Sequence, residues 1–542
     1  MGPRGLRCRG GVLGVGPQRF WMAANGPHRL RVDTTVGRFR ASVFAQIIYF
    51  VVKIASGLWY TPFLIKHLGM AAYGLVPLSN QITNYMSVVT VALTGSIGRF
   101  LTIDLVRGDR DASNRTFNTA FFASLALTLL LTVPGVALSI IGSLLLKVPP
   151  GQEVQVRYLL LGSTAYFLIN YLANPFLVSS FVSNRLDIRT WINMLGLIVQ
   201  MAAIIAFFSY LSPMLWQVGV AFVIAGAVTL GCSVWSWRTL TPELRINPRH
   251  FDRNRIGDLL SMGGWLTLNR LGSFLFAGTD LLLVNLLVGA KAGGQYGAVQ
   301  QWALMLRAMA LVVSSVLMPT IMVRFAQEDH GSIVRISSQA VKLIGLALAL
   351  PIGLIAGLSR PLLTVWLGRE YADLSSLMMI LTLPALISMA TNPLLGIQQA
   401  ANRVKWPAMA TLGSGIVNVG LDLLLAGPVG WGMYGIAWAS ALVAVARDGF
   451  FTLVYAGHVA GRSPRVFVGP LVPALLGLLL LTGAAHGIAN AVDLASWPRL
   501  IVVGTALGVS YTALAYFVGL RGDERAALHR LVLPERPVER NA

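Results

Sequence analysis

From Val43 onward the chain alternates long apolar runs with short polar connectors. The runs fall near 43–65, 75–101, 117–146, 158–182, 190–210, 214–236, 264–288, 296–323, 336–358, 374–400, 406–425, 431–456, 466–486 and 500–519. Each is about the twenty residues an α-helix needs to cross some 30 Å of hydrocarbon. The pattern predicts an all-α integral membrane protein with about fourteen transmembrane helices.

The pattern also repeats. ANPFLVSSFVSNR (173–185) and TNPLLGIQQAANR (391–403) share an Asn-Pro and an Asn-Arg at equal spacing, and 392 − 174 = 218 residues separate them. GMAAYG (69–74) is echoed by GAKAGGQYG (289–297), and Asp109 with Arg115 by Asp329 with Arg335, an offset of 220. Six helices separate equivalent points, and six is even, so both halves share one orientation. The repeat is therefore parallel, with its pseudo-twofold axis along the membrane normal. The expected organisation is a basic cytoplasmic tail (1–42), an N-lobe of six helices (43–236), a cytoplasmic linker (237–263), a C-lobe of six helices (264–457), two further helices (458–519) and a cytoplasmic tail (520–542). Residues 1–42 lack an apolar core of signal-peptide length, and Met22 is an alternative start.

Composition agrees with lipid as the solvent: 55% of residues are hydrophobic and 12% charged, with mean hydropathy +0.69. The net charge of +21 would suit a nucleic-acid binder, but its arginines sit in connectors, not in a basic domain. With the N-terminus inside, the inside segments hold about 29 Lys and Arg and the outside ones about 7. Both termini are then expected in the cytoplasm, with the arginine-dense RTLTPELRINPRHFDRNR (238–255) as the largest inside loop. Cys8 and Cys232 are too far apart to suggest a disulfide framework or a metal site. No Walker loop, HExxH or strand-borne GxGxxG is present, no outside loop is long enough for a catalytic domain, and no cofactor is expected.

Two like-oriented lobes around an axis suit a transporter that rocks between two openings. Ionisable residues inside the runs then mark its cavity, because each is costly in hydrocarbon. Lys53 lies mid-way along the first run, Arg307 mid-way along the eighth, and Arg270 a third of the way along the seventh. Asp280 follows Arg270 by ten residues, about 15 Å along a helix, too far for a direct pair. Lys342 and Arg99 sit nearer cytoplasmic ends and suit snorkelling anchors as well as cavity groups. Asp422 lies towards the outer end of the eleventh run. Cations outnumber anions, so the cavity should be positive and attract an anionic substrate; guanidinium groups suit phosphate particularly well. Asn174 and Asn392 precede prolines that should kink helices four and ten, and either could bond a freed carbonyl or line the cavity. Arg185 and Arg403 read as positive-inside anchors.

These residues carry a family resemblance. TPFLIKHLGMAAYGLV (61–76), GSIGRFL around Arg99, LLSMGGWLTLNRLGSFLFAGTDLLLVNLLVGAKAGGQYG (259–297), VWLGREY (365–371) and GIVNVGLDLLLAGPVGWGMYGIAWASAL (415–442) are similar to the Wzx-type polysaccharide transporters. These belong to the multidrug/oligosaccharidyl-lipid/polysaccharide flippase superfamily. The resemblance implies a bacterial inner-membrane flippase moving an undecaprenyl-pyrophosphate-linked oligosaccharide between leaflets. It also implies contact with membrane lipid, and polysaccharide polymerase and chain-length proteins as partners. Asp422 departs from the family pattern, in which asparagine is more usual. Peptidoglycan-precursor flippases and cation-coupled multidrug antiporters share the superfamily and stand as alternatives. A membrane glycosyltransferase or polymerase would need a long periplasmic loop that the chain lacks.

Overall fold

The computed structural model describes residues 32–253, 255–257, 263–326, 330–401, 403–522 and 524–525. The fold is an all-α membrane fold, and every one of the fourteen expected apolar runs falls on helix. Among the described residues, eleven helices are long and apolar enough to cross a membrane; a bent pair, Thr267–Phe276 with Asp280–Val288, makes a twelfth.

The N-half comprises α1 (Val32–Leu68), α2 (Met70–Asn84), α3 (Ser87–Val106), α4 (Arg110–Leu145), α5 (Glu153–Val182), α6 (Leu186–Tyr210) and α7 (Leu215–Leu240). The C-half begins with α8 (Gly263–Ala277), α9 (Asp280–Leu283, running on as a π-turn to Val288), α10 (Ala290–Ala326) and α11 (His330–Gly357). It continues through α12 (Ser359–Trp366), α13 (Ser375–Thr382), α14 (Ala385–Ala390), α15 (Asn392–Ala400), α16 (Lys405–Ala426), α17 (Gly432–Ala444) and α18 (Thr452–Val459). α19 (Arg465–Ala491) and α20 (Trp497–Leu514) follow. Three expected single spans are thus interrupted: 75–101 at Tyr85–Met86, 264–288 at Gly278–Thr279, and 374–400 near Pro384 and Pro393.

Chain reversals define two ends. The turn end holds Gly69, residues 146–152, Gly289 and residues 367–374; the linker end holds residues 107–109, 183–185 and 241–255. Gly69 and Gly289, equivalent by the 220-residue repeat, both have positive φ (83° and 140°), which a side chain would strain. At the linker end, Asn184 takes the left-handed conformation (φ 52°), and Arg185 N–H reaches back to the Ser180 carbonyl at 2.8 Å. Arg403 N–H bonds the Gln398 carbonyl at the same distance. Arg185 and Arg403 thus close the C-termini of their helices in addition to carrying charge; Asn402 lies outside the described residues. Asp109 caps α4 by accepting from Ala112 N–H at 2.8 Å, whereas its repeat counterpart Asp329 lies outside the described residues.

Helices meet where side chains are small, because lipid supplies little hydrophobic force between them. α5 crosses α7 at Gly162 and Gly219, where an added Cβ on Gly162 would lie 2.5 Å from the Gly219 Cα. α8 crosses α16 at Gly272 and Gly415, and α11 packs on α19 through Gly345, Gly353 and Gly357 against Ala474, Leu481 and Ala485. α19 is accordingly seated firmly in the C-half. The two halves cross through α2 and α10, the equivalent second helices of the repeat, with Gly74 against Gly294 and Gly297 against Pro77. α3 also packs on α8 towards the linker end.

The segment between the halves is strapped to α4. Asn114 donates to the Glu243 carbonyl (3.1 Å) and accepts from Arg245 N–H (2.9 Å); Asn118 does the same with the Arg245 carbonyl (2.8 Å) and Asn247 N–H (2.7 Å). Arg255 pairs with Asp104 at 2.7 Å and also donates to Thr116.

Because Gly294 has no room for a Cβ, Gly294→Val should force α2 and α10 apart at a cost of about 1–3 kcal/mol. Thermal unfolding in detergent should show a lower midpoint for Gly294→Val. It should show no loss for Gly413→Ala, at a helical glycine with open space around it.

Candidate functional site

α10 organises the polar interior. Gln300, Gln301, Leu304, Arg307 and Leu311 recur at helical spacing, so one face of α10 runs past three chambers. The first, about 500 Å³, lies between the halves and is lined by Lys53, Ser56 and Tyr60 of α1, Gln200 of α6, and Gln301 of α10. Among the described residues, none of its lining is acidic. The second, about 40 Å³, is within the C-half and holds Asp280, Gln300, Arg307 and Ser440. The third, about 310 Å³, holds Asn269, Ser273, Arg307, Asn392, Arg447 and Asp448. Leu304 is shared by the first two and Arg307 by the last two, so the chambers adjoin.

Asp280 is the centre of a buried network. It opens α9 at the break in the seventh span, where the interrupted helix lets its carboxylate turn inward. Tyr296 donates to its Oδ2 at 3.1 Å and Ser440 to the same oxygen at 2.8 Å. Asn418 donates to Asp422 at 2.9 Å and, at 3.4 Å, to Asp280 Oδ1. Asp280 is 4% exposed; Asp422, Asn418 and Tyr296 are 0% exposed, and Asp422 Oδ1 has no hydrogen-bond partner. Two carboxylates so placed in hydrocarbon need a proton or a cation nearby. Arg307, lining the same chamber as Asp280, supplies part of that charge.

The expected site residues fare differently. Lys53 and Arg307 line chambers, as does Asn392. Asp280 and Asp422 converge through Asn418. Arg270 lines none of the three chambers; it is exposed and stacks over Phe274 at 4.7 Å. Lys342 is 8% exposed and salt-bridged to Glu524 at 2.6 Å, so its charge is met by a carboxylate 182 residues later. Asn174 donates to the Asn170 carbonyl at 3.4 Å, one residue short of the Tyr171 carbonyl that Pro175 frees, and α5 continues unbroken past it. Asn392 instead opens a new helix after a break, so the two Asn-Pro motifs are not structurally equivalent. The Arg99 side chain lies outside the described residues. Cationic excess is also smaller than the sequence suggests. Arg447 is clasped by its neighbour Asp448 at 2.8 Å through two nitrogens and lies 4.2 Å over the Phe276 ring. Arg447, Asn418, Ser440 and Gln301 were not legible as site residues; the only hint was that Gln301 and Arg307 share a helical face.

Across the halves, Pro62 deprives the Leu58 carbonyl of its helical partner, and Trp366 of the C-half donates its indole N–H there at 2.7 Å. Beside the second C-half helix, an apolar groove of about 900 Å³ runs between Trp302, Leu354, Leu358, Gly504, Val509 and Phe517. Gly504 and Gly508 line this groove, with Leu358 and Leu350 side chains as their near neighbours.

A family model described as "Polysaccharide biosynthesis protein" matches residues 63–376. The chain is 30% identical over 488 residues to "Uncharacterized membrane protein EpsK" of Bacillus subtilis (strain 168), covering 90% of this chain and 97% of that one. In structure it is similar to a lipid II flippase, MurJ, in an inward closed conformation (TM-score 0.62, 14% identity, 89% of this chain and 99% of the other). It is also similar to the MATE multidrug transporter DinF-BH (TM-score 0.58, 15% identity, 79% and 95%). At these identities the likeness is one of fold.

Trp366→Phe keeps an aromatic ring and removes the donor, leaving a buried carbonyl unpaired at a cost of about 1–3 kcal/mol. Melting of purified protein should move down for Trp366→Phe; an unchanged midpoint would mean that water replaces the indole.

Proposed function

Since the chain belongs to the polysaccharide biosynthesis protein family, we propose that it translocates a polyprenyl-pyrophosphate-linked oligosaccharide across a bacterial inner membrane. The observation that carries this reading is Lys53. It stands mid-span in a chamber of about 500 Å³ between the halves, with no acid among the described residues that line it. Lys53 is exposed within this chamber, so an anionic headgroup entering it can reach the ammonium and supply its counter-ion. Arg307, shared by the two adjoining chambers, extends the polar path along α10. The apolar groove beside α20 offers the polyprenyl chain a route that keeps it out of the polar interior.

In this reading the N-half and C-half are the lobes of an alternating-access carrier, and the arginine-rich linker end faces the cytoplasm. The headgroup enters from that end, is screened by Lys53 and Arg307, and leaves after the turn end opens. The Asp280–Asn418–Asp422 cluster is the place for coupling. Uptake of a proton or small cation there removes the mutual repulsion of two buried carboxylates and changes the packing of α9 against α16 and α17. The chain's part is transport without bond chemistry.

A strain lacking the native chain and complemented with variants tests this. Lys53→Ala and Arg307→Ala should abolish surface polysaccharide while the protein remains in the membrane at normal level. Arg270→Ala, outside the chambers, should leave polysaccharide near normal. Normal polysaccharide in both Lys53→Ala and Arg307→Ala would overturn the assignment. Increased drug sensitivity in the deletion strain with unchanged polysaccharide would favour a drug exporter instead.

A further inference from the structure

Two glutamines stand at equivalent points of the repeat and reach across the halves in opposite directions. Gln81 lies 81 − 70 = 11 residues after the first residue of α2, and Gln301 lies 301 − 290 = 11 residues after the first of α10. Their separation, 301 − 81 = 220, is the offset of the repeat. Gln81 Nε2 donates to the carbonyl of Gly278, at the break between α8 and α9, and the Tyr85 hydroxyl donates to the same oxygen. Gln301 Oε1 accepts from the Thr61 hydroxyl of α1. The helices they grip are themselves equivalent, and so are two carbonyls on them: Leu58, freed by Pro62, and Gly278, at the break, are 278 − 58 = 220 apart. Each takes a donor from the opposite half, Leu58 from Trp366 and Gly278 from Gln81 and Tyr85.

The two glutamines differ in one respect. Gln301 also lines the chamber that holds Lys53, whereas Gln81 lines none of the three chambers. The Gln301 Nε2 lies against Gly57, another lining residue, and fits there because Gly57 has no side chain; a Cβ would come within 2.5 Å of it. An oxygen-rich headgroup beside Lys53 is thus placed to draw the Gln301 amide away from Thr61.

We propose that Gln81 and Gln301 are a pseudo-symmetric pair of clamps holding the halves together between the chambers and the turn end, and that Gln301 alone senses the chamber's occupant. Both are positioning residues. A neutral amide suits this role because it releases one hydrogen bond for another at little net cost, where a charged clamp would be held too firmly. A phosphate or hydroxyl oxygen in the Lys53 chamber accepts from Gln301 Nε2, and turning the amide towards it withdraws Oε1 from the Thr61 hydroxyl. One of the two clamps is then lost only when cargo is present. This inference rests on the transport reading and names the residue that links binding to opening.

The test uses the full-length chain in nanodiscs with Cys8→Ala and Cys232→Ala, spin-labelled at Glu153→Cys and Asp373→Cys, exposed positions at the turn end of either half. Distance distributions between the labels are recorded with and without undecaprenyl pyrophosphate, and its binding is measured on the same samples. In the parent the probe should bind and widen the distribution. Gln81→Ala should widen the unliganded distribution yet keep a response to the probe. Gln301→Ala should widen it and lose at least half of the response. Gln301→Glu keeps an acceptor for Thr61 and loses the amide donor, so it should stay narrow with and without probe. A Gln301→Ala response equal to that of the parent, with binding intact, overturns the clamp and leaves the transport reading standing. Absence of probe binding to the parent overturns both.

Discussion

A backbone carbonyl in hydrocarbon must find a donor, and much of this structure follows from that requirement. Prolines at 62, 175 and 393 and the break at Gly278–Thr279 each take carbonyls out of the helical ladder. In a water-soluble helix the solvent would repair such gaps. At Leu58 and Gly278 the repair comes from the opposite half of the molecule. Broken helices thereby become the places where the halves recognise each other. Such contacts can exchange partners without exposing charge. The glycine crossing of α2 and α10 brings those partners within reach.

The same requirement shapes the polar interior. The break ahead of Asp280 both frees the Gly278 carbonyl for Gln81 and turns the carboxylate towards Asn418, Ser440 and Tyr296. Structural irregularity and buried charge thus share one site in the seventh span. Near the turn end of the first span, Thr61 and Tyr73 form a neutral hydrogen bond at 3.2 Å. Among the described residues, no acid lines the Lys53 chamber.

The helical segments were legible from hydropathy because lipid imposes a strict length on each. The repeat was legible from its turns, since Gly69 and Gly289 obey the same backbone constraint. Lys53 and Arg307 could be found because a charge mid-way along an apolar run stands out. Lys342 stood out equally, but its partner Glu524 comes after the last span and nothing local announces the pair. The Asn-Pro motifs looked identical in sequence and diverged in structure, since Pro384 adds a second interruption in the C-half only. Gln81 and Gln301 escaped notice for a plainer reason. Uncharged amides do not disturb a hydropathy pattern, and their importance depends on which backbone groups the folded halves bring opposite them.

The central claim is that a lipid-linked saccharide headgroup crosses the bilayer through the space between the halves. Its most direct measurement is a vesicle assay with purified protein and a polyprenyl-pyrophosphate-linked saccharide. The sugar's exposure to a membrane-impermeant oxidant or lectin is followed over time. Sugar initially protected in the inner leaflet should become accessible in protein-containing vesicles and stay protected in protein-free ones. Equal protection in both, with the protein folded and inserted, would contradict the claim.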